Sequence, residues 1–90
     1  MIKYKLFSLE NCPKCDKTKE LLSDRNNVEY FVLSKNMSNW SQIDQANVEA
    51  FNVFDDLRKT APVLVVLPSE KHYIGYLSIK KALENFIGGD

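Results

Sequence analysis

The sequence predicts one α/β domain, in which a four-stranded mixed sheet carries helices on both faces in the order β-α-β-α-β-β-α. Segment 28–33 is rich in β-branched and aromatic residues, and segment 63–67 is a continuous apolar run of the kind buried on both faces of a sheet. Between and around these segments, apolar residues recur at helical spacing. The 90 residues suffice for a single domain spanning 1–90.

The first third of the chain predicts a strand, a helix and a second strand. Apolar and polar residues alternate from Ile2 to Ser8, as in a half-buried strand. Asn11 is a suitable helix-capping type, and Pro13 suits a first helical turn because its missing N–H costs nothing there. One apolar face of this helix contains Cys15, Thr18, Leu21 and Leu22. With 28–33 as the second strand, the unit should form a right-handed parallel crossover.

The middle of the chain predicts one amphipathic helix over roughly 41–58. Ser41 and Asp44 have the spacing of a capping box at its start, and Trp40 should cover this helix. The apolar residues at helical spacing are Ile43, Ala46, Ala50, Phe51, Phe54 and Leu57.

The last third predicts an antiparallel hairpin followed by a helix. Turn residues at 68–70 separate strand 63–67 from a short strand at 71–74, on which His72 should be exposed. Gly75 permits a bend, and Ser78 is a suitable cap for the final helix. That helix should bury Ile79, Ala82, Leu83 and Phe86, expose Lys80 and Lys81, and stop at Gly88 and Gly89.

The composition disfavours several classes of function. Twelve Lys and Arg residues balance 12 Asp and Glu residues, so no net charge attracts nucleic acid or acidic lipid. No apolar run approaches the roughly 20 residues of a membrane span. Because Met1–Lys5 alternates and lacks an apolar signal core, we expect no secretory signal and a cytoplasmic protein.

The two cysteines are placed for chemistry. Cys12 and Cys15 are three residues apart, so a disulfide between them closes almost no loop and adds little stability. Two cysteines and the one histidine fall short of the four ligands of a structural zinc site, so we expect no bound metal. The alternative interpretation is that both cysteines are core residues of a helix, although Cys12 does not lie on its apolar face.

The Cys12-Pro13-Lys14-Cys15 motif stands where a strand ends and a helix begins. Unpaired N–H groups and the helix dipole favour an anion there, so the pKa of Cys12 should lie below the reference of about 8.5. Lys14 and Lys17 add positive potential, whereas Cys15 should be a buried thiol one turn inside the helix. This asymmetry suits dithiol exchange, in which Cys12 attacks a disulfide and Cys15 resolves the mixed disulfide.

Three motifs together resemble a glutaredoxin of the thioredoxin superfamily, most like its short phage-type members, over almost the whole chain. They are Cys12-Pro13-Lys14-Cys15, then Thr60-Ala61-Pro62-Val63 entering the third strand, and Tyr73-Ile74-Gly75-Tyr76 before the last helix. The resemblance implies a thioredoxin-like fold and a cis peptide bond before Pro62. The residues themselves also permit a trans bond there, because a trans proline can begin a strand. It implies that Pro13, Lys14, Ala61, Pro62, Gly75 and Tyr76 bind substrate or glutathione.

The resemblance also implies an enzyme of electron transport and cell redox homeostasis. No cofactor would be bound, and glutathione would be a co-substrate. Either glutathione or a thioredoxin reductase would supply electrons, and the client would be a protein disulfide such as that of ribonucleotide reductase. The protein would act as a monomer.

The sequence departs from the family pattern around the motifs. Lys14 stands where many glutaredoxins have an aromatic residue, and Leu9 stands where many have a lysine that meets a glutathione carboxylate. Glu10 adds a negative charge beside it. Tyr76 replaces the second glycine of the turn, and it either stacks over a ligand or covers the site. Leu77-Ser78 replaces the Cys-Asp or Thr-Asp pair that follows.

Two other functions compete with the enzyme. The first is a thioredoxin-fold module that senses redox state or docks a partner without turnover. The second is an iron–sulfur or zinc carrier that uses Cys12 from two chains with glutathione, although family members of that kind usually keep one active-site cysteine.

Overall fold

The computed structural model describes residues 2–85, which form four strands and four α-helices. In chain order these are β1 Lys3–Leu9, α1 Pro13–Leu21, β2 Val28–Leu33, α2 Gln42–Phe51, α3 Phe54–Lys59, β3 Val63–Leu67, β4 Lys71–Ile74 and α4 Tyr76–Asn85. The sheet order is β2-β1-β3-β4, with β1 and β2 parallel and the other two pairs antiparallel. The predicted mixed α/β sheet is confirmed.

Two hydrophobic clusters hold helices against opposite faces of the sheet. Helices α1 and α4 cover the face formed by the cluster of Tyr4, Leu6, Leu22, Leu64, Val66, Ile79, Ala82 and Leu83. Helices α2 and α3 cover the other face through Phe7, Leu33, Val48, Val53, Leu57, Val63 and Val65. Each fully buried aliphatic side chain contributes about 1.5–3 kcal/mol. The run 63–66 is buried throughout because β3 lies between both helical layers, as its continuous apolar character predicts.

The single helix predicted over 41–58 is wrong, because the chain breaks into α2 and α3. Asn52 has φ 55° and ψ 44°, a left-handed conformation that asparagine tolerates better than most residues. The Val53 N–H donates to the Val48 carbonyl at 3.2 Å, the six-residue closure of a Schellman motif. This turn buries Val53 completely and redirects the chain so that Leu57 also reaches the core.

The face predicted for α2 is only partly correct. Ile43 is 73% exposed, and Ala46 and Ala50 are also exposed, whereas Val48 is buried and Phe51 half-buried. Val48 and Phe51 form the adjacent helical face, and burying the phenylalanine removes more apolar surface than burying either alanine. The capping box is confirmed: Asp44 N–H donates to Ser41 Oγ at 3.0 Å, and Ser41 N–H donates to Asp44 Oδ2 at 3.1 Å.

Helix α4 begins two residues before the predicted cap. Gly75 has φ 88°, and its carbonyl accepts from the Ile79 N–H at 3.0 Å, so the helix starts at Tyr76 and Ser78 lies in its first turn. The glycine, which tolerates this φ, therefore ends the strand and opens the helix. The predicted helix residue Phe86 and the stop at Gly88 and Gly89 lie outside the described residues.

Two aromatic residues make specific contacts at the edges of the helical layers. Trp40 packs edge-on against Phe54 with ring centroids 6.4 Å apart, and so covers the α2–α3 layer as expected. The expectation of an exposed His72 is wrong. Its Nδ1 lies 2.7 Å from Oδ2 of Asp56 in α3, and its side chain is only 23% exposed.

Candidate functional site

Strand directions bring four chain segments to one edge of the sheet. Leu9 and Leu33 lie opposite each other at the carboxyl ends of the parallel strands β1 and β2. Val63, which pairs with Phe7, begins the antiparallel β3 at the same edge, and Ile74 ends β4 there. The segments that follow or precede these residues carry the cysteine pair, Lys35, Pro62 and Gly75. The separated sequence motifs therefore converge for topological reasons.

Cys12 and Cys15 form a disulfide at the start of α1, with their Cα atoms 5.1 Å apart. Pro13 is the first helical residue, as predicted. Cys12 rather than Asn11 is the N-cap, and its Sγ accepts from the Cys15 N–H at 3.1 Å. Asn11 instead has φ 51°, which makes it the turn before the cap.

The two cysteines differ in accessibility. Cys15 is 1% exposed on the buried face of α1, whereas Cys12 is half-buried at the helix terminus. Lys14 and Lys17 are exposed beside them. The N–H groups of the first turn and the helix dipole favour negative charge at Cys12 Sγ. Only one sulfur of the pair is therefore open to a bulky disulfide.

A second segment of the site precedes β3. The Ala61–Pro62 peptide bond is cis, and so is Leu67–Pro68, for which the sequence carried no indication. Pro62 is buried, and its carbonyl accepts from the Gly75 N–H at 2.7 Å. This hydrogen bond joins the proline loop to the glycine turn before α4.

A groove of about 390 Å³ lies between α1 and the start of α4. Its lining residues are Lys14, Lys17, Thr60, Ile74, Gly75, Tyr76, Leu77 and Ser78. Lys17 Nζ lies 6.0 Å from the centre of the Tyr76 ring, so tyrosine and lysine form one wall together. Of the predicted binding residues, Lys14, Gly75 and Tyr76 line this groove, whereas Pro13, Ala61 and Pro62 do not.

The backbone conformation at position 75, on the groove, favours glycine. Its φ of 88° is unfavourable for residues with a side chain, whereas a Cβ added there would make only an ordinary contact with Thr60 Cγ2 at 3.4 Å. Thr60, Leu77 and Ser78 were not predicted to line a binding groove. The available signal was their position in the sequence, because Thr60 begins the proline motif and Leu77 and Ser78 follow the glycine motif.

On the side of the site next to β2, Lys35 and Glu10 hold the loops together. Lys35 Nζ donates to the Asn11 carbonyl at 3.0 Å, and Ser34 Oγ donates to Glu10 Oε1 at 3.4 Å. Sequence reasoning missed Lys35. The parallel pairing of the two preceding strands was the signal that would have placed its loop beside Cys12.

The part of the chain that the structure describes contains no group of side chains suited to hold a metal ion and no helix suited to span a membrane. Within residues 2–85, no three His, Cys, Asp or Glu side chains are grouped to hold a metal ion. In the same range, every helix is too short or too polar to cross a bilayer.

Sequence comparison and structural comparison give different results. The chain matches no protein-family model and no curated protein sequence. Its structure is similar to the crystal structure of glutaredoxin 1 from Francisella tularensis complexed with cacodylate, with a TM-score of 0.56. The similarity covers 98% of this chain and 99% of that chain at 15% sequence identity. The order of elements, the mixed sheet and this full-length similarity show that the chain has the thioredoxin-like fold of a glutaredoxin.

Proposed function

We propose that the protein is a thiol–disulfide oxidoreductase that reduces protein disulfides or glutathione mixed disulfides through Cys12 and Cys15. The observation that carries the proposal is the unequal exposure of the pair at a helix N-terminus, with Cys12 accessible and Cys15 1% exposed. The groove beside the pair supports it, because an extended thiol compound has room there.

The proposed reaction transfers two electrons. The Cys12 thiolate attacks one sulfur of the client disulfide, whose S–S bond breaks and releases the other sulfur as a thiolate. Cys15, after losing its proton, then attacks Cys12 Sγ, which releases the second client thiolate and leaves a Cys12–Cys15 disulfide. The client gains the two electrons that the dithiol loses.

We further propose glutathione as the reductant that restores the dithiol. Two glutathione molecules would reduce the Cys12–Cys15 disulfide and leave as oxidised glutathione. Lys14 and Lys17 line the groove with positive charge suited to a carboxylate. Pro13 stands between the two cysteines, and Ala61 and Pro62 directly precede β3, which begins at the same edge of the sheet. We also propose that the protein acts as a monomer in a reducing cytoplasm and that ribonucleotide reductase is one of its clients.

A coupled assay tests the proposal. Reduction of a cysteine–glutathione mixed disulfide is followed with NADPH, glutathione and glutathione reductase, and a parallel assay replaces these donors with NADPH and thioredoxin reductase. We expect many turnovers with glutathione and few with thioredoxin reductase. Fast turnover with thioredoxin reductase alone would contradict glutathione as donor while keeping the dithiol chemistry. Oxidation and reduction without turnover by either donor would instead favour a redox-sensing or docking module.

The residues in the loop before the cysteines should repel glutathione weakly. Leu9 is half-buried and Glu10 is exposed, so neither of these two positions offers a cation to the two glutathione carboxylates, and Glu10 adds a negative charge. We expect the double variant Leu9→Lys, Glu10→Gln to lower the KM for glutathione, by about 1.4- to 5-fold for each change, because each exposed charge interaction contributes about 0.2–1 kcal/mol. Steady-state kinetics at low and high salt measure the effect, which added salt should reduce.

Two comparisons make this prediction specific. Glu84→Lys changes the net charge by the same amount at an exposed position near the far end of α4, and it should leave the KM unchanged. Activity on a folded protein client should also change little in the double variant. If the glutathione kinetics of the double variant are unaltered at low salt, glutathione binds elsewhere or is not the reductant.

A further inference from the structure

The loop after β2 is folded tightly enough to present Lys35 in one place. Trp40 Nε1 donates to the Ser34 carbonyl at 2.7 Å, and Asn36 Oδ1 accepts from the N–H of Ser38 at 3.1 Å to cap a single 3₁₀ turn. The Glu10 N–H donates to the Leu33 carbonyl at 2.9 Å, which joins the start of this loop to the chain leaving β1. The backbone on either side of Lys35 is therefore anchored.

The Lys35 ammonium reaches the peptide that leads into Cys12. Its Nζ donates to the Asn11 carbonyl at 3.0 Å, and the φ of 51° at Asn11 is the left-handed turn before the capping cysteine. Bond lengths limit the distance from that oxygen to Cys12 Sγ to roughly 5 Å, so the ammonium lies within roughly 8 Å of the sulfur. At low ionic strength this separation is well inside the Debye length.

We propose that Lys35 is a positioning residue for Cys12, which holds the Asn11–Cys12 peptide in place and stabilises the thiolate by its charge. This inference rests on the proposed role of Cys12 as nucleophile. The sequence already indicated that the helix terminus stabilises the thiolate. Lys35 would be a second stabilising group, a cation on the β2 side of the site and 23 residues along the chain from Cys12.

Other titratable groups lie on the elements next to Cys12. Lys14 and Lys17 line the groove from α1, and Tyr76 contributes a phenol from the start of α4. Glu10 and Asp16 are exposed carboxylates in the preceding loop and the first helical turn, and their charges oppose the thiolate. Lys35 differs from the groove lysines because its ammonium bonds the backbone adjacent to Cys12.

The test measures thiolate formation directly and needs no turnover. In a Cys15→Ser background, so that Cys12 is the single thiol, the alkylation rate by iodoacetamide is measured from about pH 5 to about pH 10. We expect Lys35→Met to move the midpoint to higher pH and to slow alkylation near neutral pH about two- to fivefold, the effect of one exposed charge. The rates should converge at high pH, and the difference should shrink in 1 M salt, where the Debye length is about 3 Å.

Two further variants separate charge from general damage to the loop. Lys35→Arg should retain the lower midpoint, because the guanidinium keeps the charge and a donor. Lys3→Met, at the exposed opposite end of β1, should match the parent protein. An unchanged midpoint in Lys35→Met, equal slowing at every pH, or an equal effect of Lys3→Met would overturn the proposal. Because no client or reductant is used, these outcomes are independent of whether the protein turns over.

Discussion

Replacing Cys12 with serine should abolish disulfide exchange, whereas replacing Cys15 with serine should trap the protein on its client. In Cys12→Ser the accessible thiolate is gone, and the remaining Cys15, 1% exposed, does not reach a bulky disulfide. In Cys15→Ser the attack still occurs, but no thiol is present to resolve the mixed disulfide. We expect the first variant to react at the uncatalysed rate and the second to accumulate a covalent adduct.

Mass spectrometry and non-reducing electrophoresis after mixing with a disulfide-containing protein measure both outcomes. The adduct of Cys15→Ser should disappear on addition of dithiothreitol. A Cys12→Ser, Cys15→Ser double variant is the control, and it should form no adduct. If Cys12→Ser traps the client and Cys15→Ser does not react, the assigned roles of the two cysteines are reversed.

Among single substitutions of a buried core residue by alanine, Phe7→Ala should cause the largest loss of stability. Phe7 is fully buried between the sheet and α2, with its ring stacked on Phe31 at 4.7 Å and tilted against Phe51 at 5.8 Å. Truncation of a buried phenylalanine costs about 3–5 kcal/mol, from the lost burial and the remaining cavity. Because domains of this size are stable by about 5–15 kcal/mol, the variant should be close to unfolding at physiological temperature.

Urea unfolding of the reduced protein, followed by Trp40 fluorescence, gives the free energy of unfolding for this comparison. Ile43→Ala is the matched control, because Ile43 is also a large apolar residue but is 73% exposed. Its cost should stay within about 0.5 kcal/mol. A loss below about 1 kcal/mol for Phe7→Ala would mean that the core closes around the missing ring far better than this packing implies.

Local sequence determined the elements whose signals come from neighbouring residues. The strand at 28–33 has the predicted bounds, and so does the buried strand at 63–67, because residue type alone distinguishes them from the polar residues or prolines that flank them. Pro13 begins α1 for the equally local reason that its ring preorganises the first turn. The asymmetry between Cys12 and Cys15 also follows from helix geometry, which places the second cysteine on the buried face.

Only the tertiary structure decided how the predicted helix over 41–58 ends and which of its residues are buried. Asn52 adopts a left-handed conformation, and Val48 is buried and Phe51 half-buried, whereas Ile43 and Ala46 are exposed. The helical spacing of apolar residues fits more than one face. The choice depends on which side chains fill the space above the sheet, and that space is formed by residues far away in sequence.

The assembly of the site is likewise a property of the whole fold. Lys35 bonds to Asn11 across 24 residues, and the groove joins α1 to the turn at Gly75. The resemblance to glutaredoxins implied that Cys12, Pro62 and Gly75 belong to one site, but it carried no information about side chains outside the motifs. Parallel pairing of β1 with β2 brings Lys35 to Asn11, because the carboxyl ends of both strands meet at one edge of the sheet.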